Sequence, residues 1–255
     1  MRRLLPIFFV WLVQSAVCAQ SKTGAQKFKV LAIYENGGHH LAFSMEAKKW
    51  LEQVSIDSSF SIDYVQHTEA LDSSMLSQYQ VFLQLDYPPY GWKEKAAHAL
   101  EESINKGRIG WVGLHHASLL GEFDGFPIWP WFWKFMGSIR FKNYIADFAS
   151  GTVQVEAIDH PVMKGLPAKF TIDKEEWYTY DQSPRAKVSV LASVDESSYQ
   201  PDRSIKMGDH PVIWTNPAYK ARNVYIFMGH SPDLFLNTQY CKLLANAISW
   251  AAQKN

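Results

Sequence analysis

The residues best equipped for chemistry in this chain are histidines that follow apolar runs. His39 and His40 come after Lys29 to Tyr34 and the turn Glu35-Asn36-Gly37-Gly38. His115 and His116 directly follow Arg108 to Leu114, and His230 follows Asn223 to Met228 and Gly229. Imidazole titrates near neutrality and binds divalent metals through either ring nitrogen, so the grouping points to acid–base catalysis or to a metal ion. His39, His115 and His230 are the candidate bases and the candidate ligands of a divalent metal. At His115 a sharp strand-to-helix turn would present the ring to a pocket, and a helix N-terminus there favours neutral imidazole. His116 is expected to point back into structure, with a secondary role in substrate contact. The structural alternatives are a ring bonded to the glycine-turn backbone at His39 or His40, and a buried ring tied to a carbonyl at His230.

Carboxylates supply the other half of such a site. Glu175 and Glu176 stand in Asp173-Lys174-Glu175-Glu176-Trp177-Tyr178, where an apolar neighbour could raise one carboxyl and make it a general acid. Glu176 is the candidate acid, and a solvated charge run is the competing reading. Asp86, after Gln80 to Leu85, and Glu35 are further candidates. Ten Trp, twelve Tyr and fifteen Phe exceed what a core of this size needs. Trp129, Trp131, Trp177 and Tyr178 are therefore candidate platforms for a sugar, against the plainer alternative of an aromatic core. The chain has no zinc-protease helix, phosphate loop or serine elbow. Cys241 falls inside an expected helix, so a cysteine nucleophile is not expected.

The elements that must carry these residues alternate. Strands are expected at 29–34, 61–65, 80–85 and 108–114, with a helix capped by Ser44 over Met45 to Val54 and another over 94–106 ending at Gly107. This order argues for a parallel sheet with helices on both faces, where ligands bind beyond the carboxyl ends of the strands. Further strands are expected at 152–157, 188–192, 212–214 and 223–228, some antiparallel at one edge, and a closing helix at 237–252. Phe126 to Met136, rich in Trp and Pro, reads as a loop lid with a short helix near Trp133.

Equal numbers of basic and acidic side chains, 25 of each, exclude the electrostatic grip that nucleic acid requires. Met1-Arg2-Arg3, the apolar Leu4 to Val13 and the small residues to Ala19 have the order of a secretory signal over 1–19. Residues 20–27 are a polar leader and 28–255 the folded domain. The chain is thus expected to be exported to the periplasm. A lipoprotein at Cys18 fits less well, because Val17 is a poor lipobox residue. No run approaches the roughly 20 apolar residues of a membrane span. Self-association into a homo-oligomer is left open.

Taken in order, Gly37-Gly38-His39, Gly110 to His115, Asp159 to Pro167, Glu175 to Tyr178, His210 to Trp214, Met228-Gly229-His230 and Ala247 to Ala251 resemble the trehalose-utilisation (ThuA-like) family from about Phe28 to Ala252. The resemblance implies a class I glutamine amidotransferase-like fold, a flavodoxin-like three-layer α/β sandwich with a mostly parallel central sheet. In that superfamily the turn after the fourth strand commonly carries a cysteine nucleophile. Here the matching turn offers His115, so amidotransferase chemistry is not expected. The family's recurrent polar positions fall on His39, His115, Glu176, Tyr178 and His230. Many members carry a further histidine after the glycine matching Gly137, and 137–144 contains none. The resemblance implies a role in disaccharide use, including 3-keto sugars. Two functions stay open: a hydrolase or lyase with His/Glu or metal-assisted chemistry, and a sugar-binding protein of the same fold.

Overall fold

The protein is described by a computed structural model over residues 27–35 and 37–253. The expected signal, Cys18 and most of the polar leader lie outside the described residues. In chain order the elements are β1 (Phe28–Tyr34), α1 (Leu41–Ser58), β2 (Phe60–Val65), α2 (Ser73–Leu76), β3 (Val81–Leu85), α3 (Glu94–Asn105) and β4 (Gly110–Leu114). There follow α4 (Pro130–Phe135), β5 (Phe141–Tyr144), β6 (Ala149–Val155), β7 (Lys169–Glu175), β8 (Tyr178–Tyr180), β9 (Ser189–Gln200), β10 (Pro211–Thr215), β11 (Asn223–Ile226) and α5 (Thr238–Ala251).

Nine strands form one sheet in the order β2-β1-β3-β4-β11-β10-β9-β6-β7. The first five are mutually parallel, and the remaining four pair antiparallel. β3, β4 and β11 are buried along their whole length, as continuous apolar runs covered on both faces should be. Sequence neighbours part at β1, which pairs with both β2 and β3. The parallel half is therefore the doubly wound arrangement whose crevice lies beyond the strand ends. β5 and β8 form a separate antiparallel ribbon. Among the described residues no helix is long and apolar enough to cross a membrane.

Two expectations about local structure change. α1 starts at Leu41, so Ser44 is not a cap; it is buried inside the helix and donates to the Glu35 carbonyl at 2.9 Å. Met45 is 65% exposed, because the buried face runs through Phe43, Ala47 and Leu51. The Trp- and Pro-rich segment is no lid. Phe132 and Phe135 of α4 are buried against Trp111, Trp131 packs on Tyr219 and Phe135, and Trp129 packs on Trp92.

α5 crosses β4 at Gly110, where a Cβ would lie 2.0 Å from the Ala251 carbonyl oxygen. That approach is backbone on backbone and cannot be relieved by a rotamer change. Gly110→Ala should cost about 1–3 kcal/mol as an overpacked contact, read as a lower urea midpoint. Gly37→Ala, with nothing within 4 Å of the added carbon, is the matched control and should leave the midpoint unchanged or slightly raised.

Candidate active site

Four parallel strands deliver polar groups to the same edge. β1 leads into Glu35, β3 into Asp86, β4 into His115-His116, and β11 leads through Phe227 to His230. Asp86 and His115 take positive φ values of 51° and 37°, a region sparsely used by residues other than glycine. The turn at His115 is pinned from several sides. Ser118 Oγ donates to its carbonyl at 2.9 Å. Tyr225 Oη lies 3.0 Å from the same carbonyl and 2.7 Å from Ser118 Oγ. Gly229 passes so close that a Cβ there would lie 2.6 Å from His115 Cβ.

The His115 ring is fully buried. Nδ1 faces the Phe227 carbonyl at 3.1 Å, and Nε2 faces Tyr178 Oη at 2.7 Å. The carbonyl can only accept, so Nδ1 carries the hydrogen, and the Tyr178 hydroxyl donates to the bare Nε2. Burial outweighs the nearby Glu176 and Asp86 charges and lowers the His115 pKa to about 4, keeping the ring neutral. Burial likewise pushes the Tyr178 phenol well above its usual range.

Around this ring stand two histidine–carboxylate pairs, with His40 between them. His116 Nδ1 lies 2.8 Å from Glu35 Oε2, and His230 Nδ1 lies 3.0 Å from Glu176 Oε2. His40 Nε2 is 2.8 Å from His230 Nδ1, while its Nδ1 faces Glu35 Oε2 at 3.6 Å and Asp86 Oδ2 at 3.5 Å. Burial would raise both carboxylates. Bonds from His116 and His40 instead bring Glu35 down to about 2, and the bond from His230 holds Glu176 well below the carboxylate range. Burial would lower His116 and His230. Asp86 and Glu35 raise His116, and Glu176 raises His230.

These groups open into a pocket of about 350 Å³ whose remaining lining includes Leu119, Phe123, Phe141, Tyr144 and Tyr178. A larger depression of about 880 Å³ lies over α2 and α3, with Asp72, Lys95 and Trp129 on its walls. It holds none of the converging His/carboxylate clusters found among the described residues.

The placement revises several expected roles. His39 is exposed at the pocket rim, and its neighbour His40 enters the cluster. The turn from Gly38 to His40 rotates successive side chains apart, and the second histidine of the pair faces Asp86. His115 sits behind the pocket wall, whereas His116, expected to turn inward, lines the cavity. Glu176, expected as the acid, stands as the carboxylate partner of His230 and is held well below the usual carboxylate range. The carboxyl that burial does raise, to about 7, is Glu175; it accepts from the Glu176 and His230 amides at 2.9 and 3.3 Å and does not line the pocket. Trp177 is buried, donating to the Ala149 carbonyl at 2.7 Å, and Trp129 and Trp131 do not line the pocket. Tyr178 and His230 do line it, and Asp86 lies buried beneath. His40, weighed beside His39, takes the place assigned to His39, and the wall formed by Phe123, Phe141 and Tyr144 was not anticipated. The alternation in Phe141-Lys142-Asn143-Tyr144 was the available signal for that strand.

A doubly wound parallel half-sheet with a histidine–carboxylate cluster at the ends of its strands defines an open-sheet α/β protein with its candidate site at the strand ends. Residues 29–251 match the ThuA family, described as trehalose utilisation, and the chain belongs to that family. A ThuA-like protein from Bacteroides uniformis is 30% identical, with a TM-score of 0.79 over 89% of this chain and 92% of its own. A ThuA-like protein from Parabacteroides merdae is 19% identical, with a TM-score of 0.66 over 89% and 90%. A GMP synthase protein from Thermoplasma acidophilum, 12% identical with a TM-score of 0.55 over 89% and 96%, shares the fold. No curated protein matches the chain. Family membership carries a carbohydrate-utilisation role.

The His116–Glu35 pair should stabilise the fold in a defined pH window. Glu35, lowered from 4.5 to about 2, contributes above pH 4.5 and loses its contribution as pH falls toward 2. His116, raised from 6.5, contributes below pH 6.5 and loses its contribution as pH rises through its folded value. A double-mutant cycle with Glu35→Gln and His116→Asn in urea should give a coupling of about 2 kcal/mol between pH 4.5 and 6.5, decaying on both sides. A coupling that does not vary with pH would contradict the pairing.

Proposed function

We propose that the protein is a carbohydrate-active lyase or hydrolase that cleaves a glycosidic bond in a 3-keto sugar. The observation that carries the reading is the pocket of about 350 Å³ in which His40, His116, His230 and Glu176 face an aromatic wall. Its size suits one sugar ring, since ligand pockets run from about 300 to 1,000 Å³. Phe141, Tyr144 and Tyr178 offer faces for the sugar's C–H surface.

His116, oriented by Glu35, is the proton carrier. A histidine whose carboxylate partners raise its pKa can hold a proton and return it to a leaving group. His116 removes the proton from the carbon between the ketone and the anomeric centre, and the electron pair moves into the carbonyl as an enolate. The enolate then re-forms the ketone and a carbon–carbon double bond, breaking the bond from the anomeric carbon to the glycosidic oxygen. That oxygen takes the proton back from His116 and leaves as an alcohol. The protonated His230, held by Glu176, donates toward the developing enolate oxygen. Water adding to the double bond would complete a net hydrolysis. His115 and Tyr178 are positioning residues that hold the wall beside Glu176. Export of the chain, with cleavage after Ala19, belongs to the same proposal and would appear in the N-terminal sequence of the secreted protein.

A 3-keto disaccharide incubated with the protein should give an unsaturated ketone and a free sugar in equal amounts by NMR. His116→Asn should lower kcat/KM by about 10²–10⁴-fold, the usual contribution of one acid–base group, while Trp129→Ala should stay within about twofold. Ligand binding with no product from any keto sugar would favour the sugar-binding alternative. Full turnover in His116→Asn would sink the assigned role.

A further inference from the structure

We propose that His40 Nε2, His115 Nε2, His230 Nδ1 and Glu176 Oε2 form a binding site for a divalent transition-metal ion. The site lies beside the sugar pocket and rests on the sugar reading only for what the ion would do. The four atoms lie within 4.8 Å of one another. Three imidazole nitrogens and one carboxylate oxygen are a donor set suited to Zn²⁺, Fe²⁺, Co²⁺ or Mn²⁺ rather than Ca²⁺ or Mg²⁺.

The hydrogen count supports the assignment. The Phe227 carbonyl takes the His115 Nδ1 hydrogen, so Nε2 presents a lone pair. Asp86 and Glu35 face His40 Nδ1, which places the hydrogen there and leaves Nε2 bare as well. One hydrogen, on His230 Nδ1, then faces both His40 Nε2 at 2.8 Å and Glu176 Oε2 at 3.0 Å. Two acceptors share one donor in a half-buried setting, and a cation at their centre would satisfy both. The Tyr178 hydroxyl would release its bond to His115 Nε2 when that nitrogen coordinates.

The surroundings repeat the outer shell of metal sites. Metal-bound histidines usually direct the second ring nitrogen to a carboxylate or a carbonyl. His40 does the first and His115 the second. An independent observation lies just beneath. Asp86 Oδ2 is fully buried and accepts no hydrogen bond, although it stands 3.5 Å from His40 Nδ1. A buried carboxylate oxygen whose facing donor makes no hydrogen bond is stabilised by nearby positive charge, and an ion on His40 would supply it through the ring.

If the keto sugar binds there, the ion would polarise its carbonyl oxygen in place of the His230 proton. His116 and Glu35, outside the four-atom set, remain the proton carriers.

The test is metal content by mass spectrometry on the purified full chain. It is measured as isolated, after chelation, and after separate reloading with Zn²⁺, Mn²⁺, Co²⁺ and anaerobic Fe²⁺. One equivalent of at least one metal is expected, with Co²⁺ showing visible absorption of a four- or five-coordinate site. His40→Ala, His230→Ala and Glu176→Gln should each lower affinity at least 10-fold, with folding checked by circular dichroism. Asp86→Asn should weaken it by about 10–100-fold, as outer-shell changes do. His39→Ala and the surface variant His98→Ala should leave it unchanged. No bound metal after any loading, or binding that survives His230→Ala and Glu176→Gln, overturns the site. Turnover of a 3-keto sugar by metal-free protein overturns the ion's part in the reaction and leaves the sugar reading standing. A loaded protein that turns over no sugar does the reverse.

Discussion

A buried imidazole ties the two halves of this molecule together. His115 belongs to the parallel half by chain position, yet its Nε2 partner Tyr178 comes from the ribbon strand β8 and its Nδ1 partner from the segment after β11. A polar ring with no access to water must find both partners inside the protein or incur a penalty of about 1–3 kcal/mol for each unmade bond. The excursion from β5 to β9 is therefore held in a path that returns Tyr178 over the parallel strand ends. Once Tyr178 is fixed, Glu176 two residues earlier falls beside His115 and His230. The pocket's back wall and one of its charged pairs thus follow from a single buried ring.

The neighbours Glu175 and Glu176 show how the same local sequence serves two physical ends. Glu175 points inward to the backbone amides of Glu176, Gly229 and His230, and without a close cationic bond its burial favours the neutral acid. Glu176 points outward to imidazoles and stays ionised. The inner carboxyl joins the end of β7 to the end of β11, and that junction sets the separation of Glu176 from His230. Structural and chemical carboxylates are here one peptide bond apart, and only their partners distinguish them.

The fold was legible because its strands are short apolar runs closed by turn residues, and the edge they share follows from parallel pairing. The strand ends at Glu35, Asp86, His115 and His230 could be found for the same reason. What could not be read was side-chain direction within a turn. In His39-His40 and again in His115-His116, adjacent residues point opposite ways, and the choice depends on partners distant in sequence: Asp86 for His40 and Phe227 for His115. The β7 strand was hidden because Lys169 to Glu175 alternates Phe170 and Ile172 with charged and polar residues, and the charges at its end read as a solvated run. Tryptophan was misleading for a different reason. Trp111, Trp177 and Trp214 fill the core, while the pocket wall is made of Phe and Tyr, whose smaller rings leave room for a ligand.

The turn after β4 holds His115 at positive φ, with its imidazole enclosed by Phe227, Gly229 and Tyr178. A ring so enclosed cannot touch a substrate, and covalent catalysis from that position is closed off. The strained turn aims Nε2 at Tyr178 and leaves the next residue, His116, at the cavity surface. The groups left at the cavity surface are a ring of paired histidines and carboxylates. Such a ring is fitted to moving protons or holding a cation.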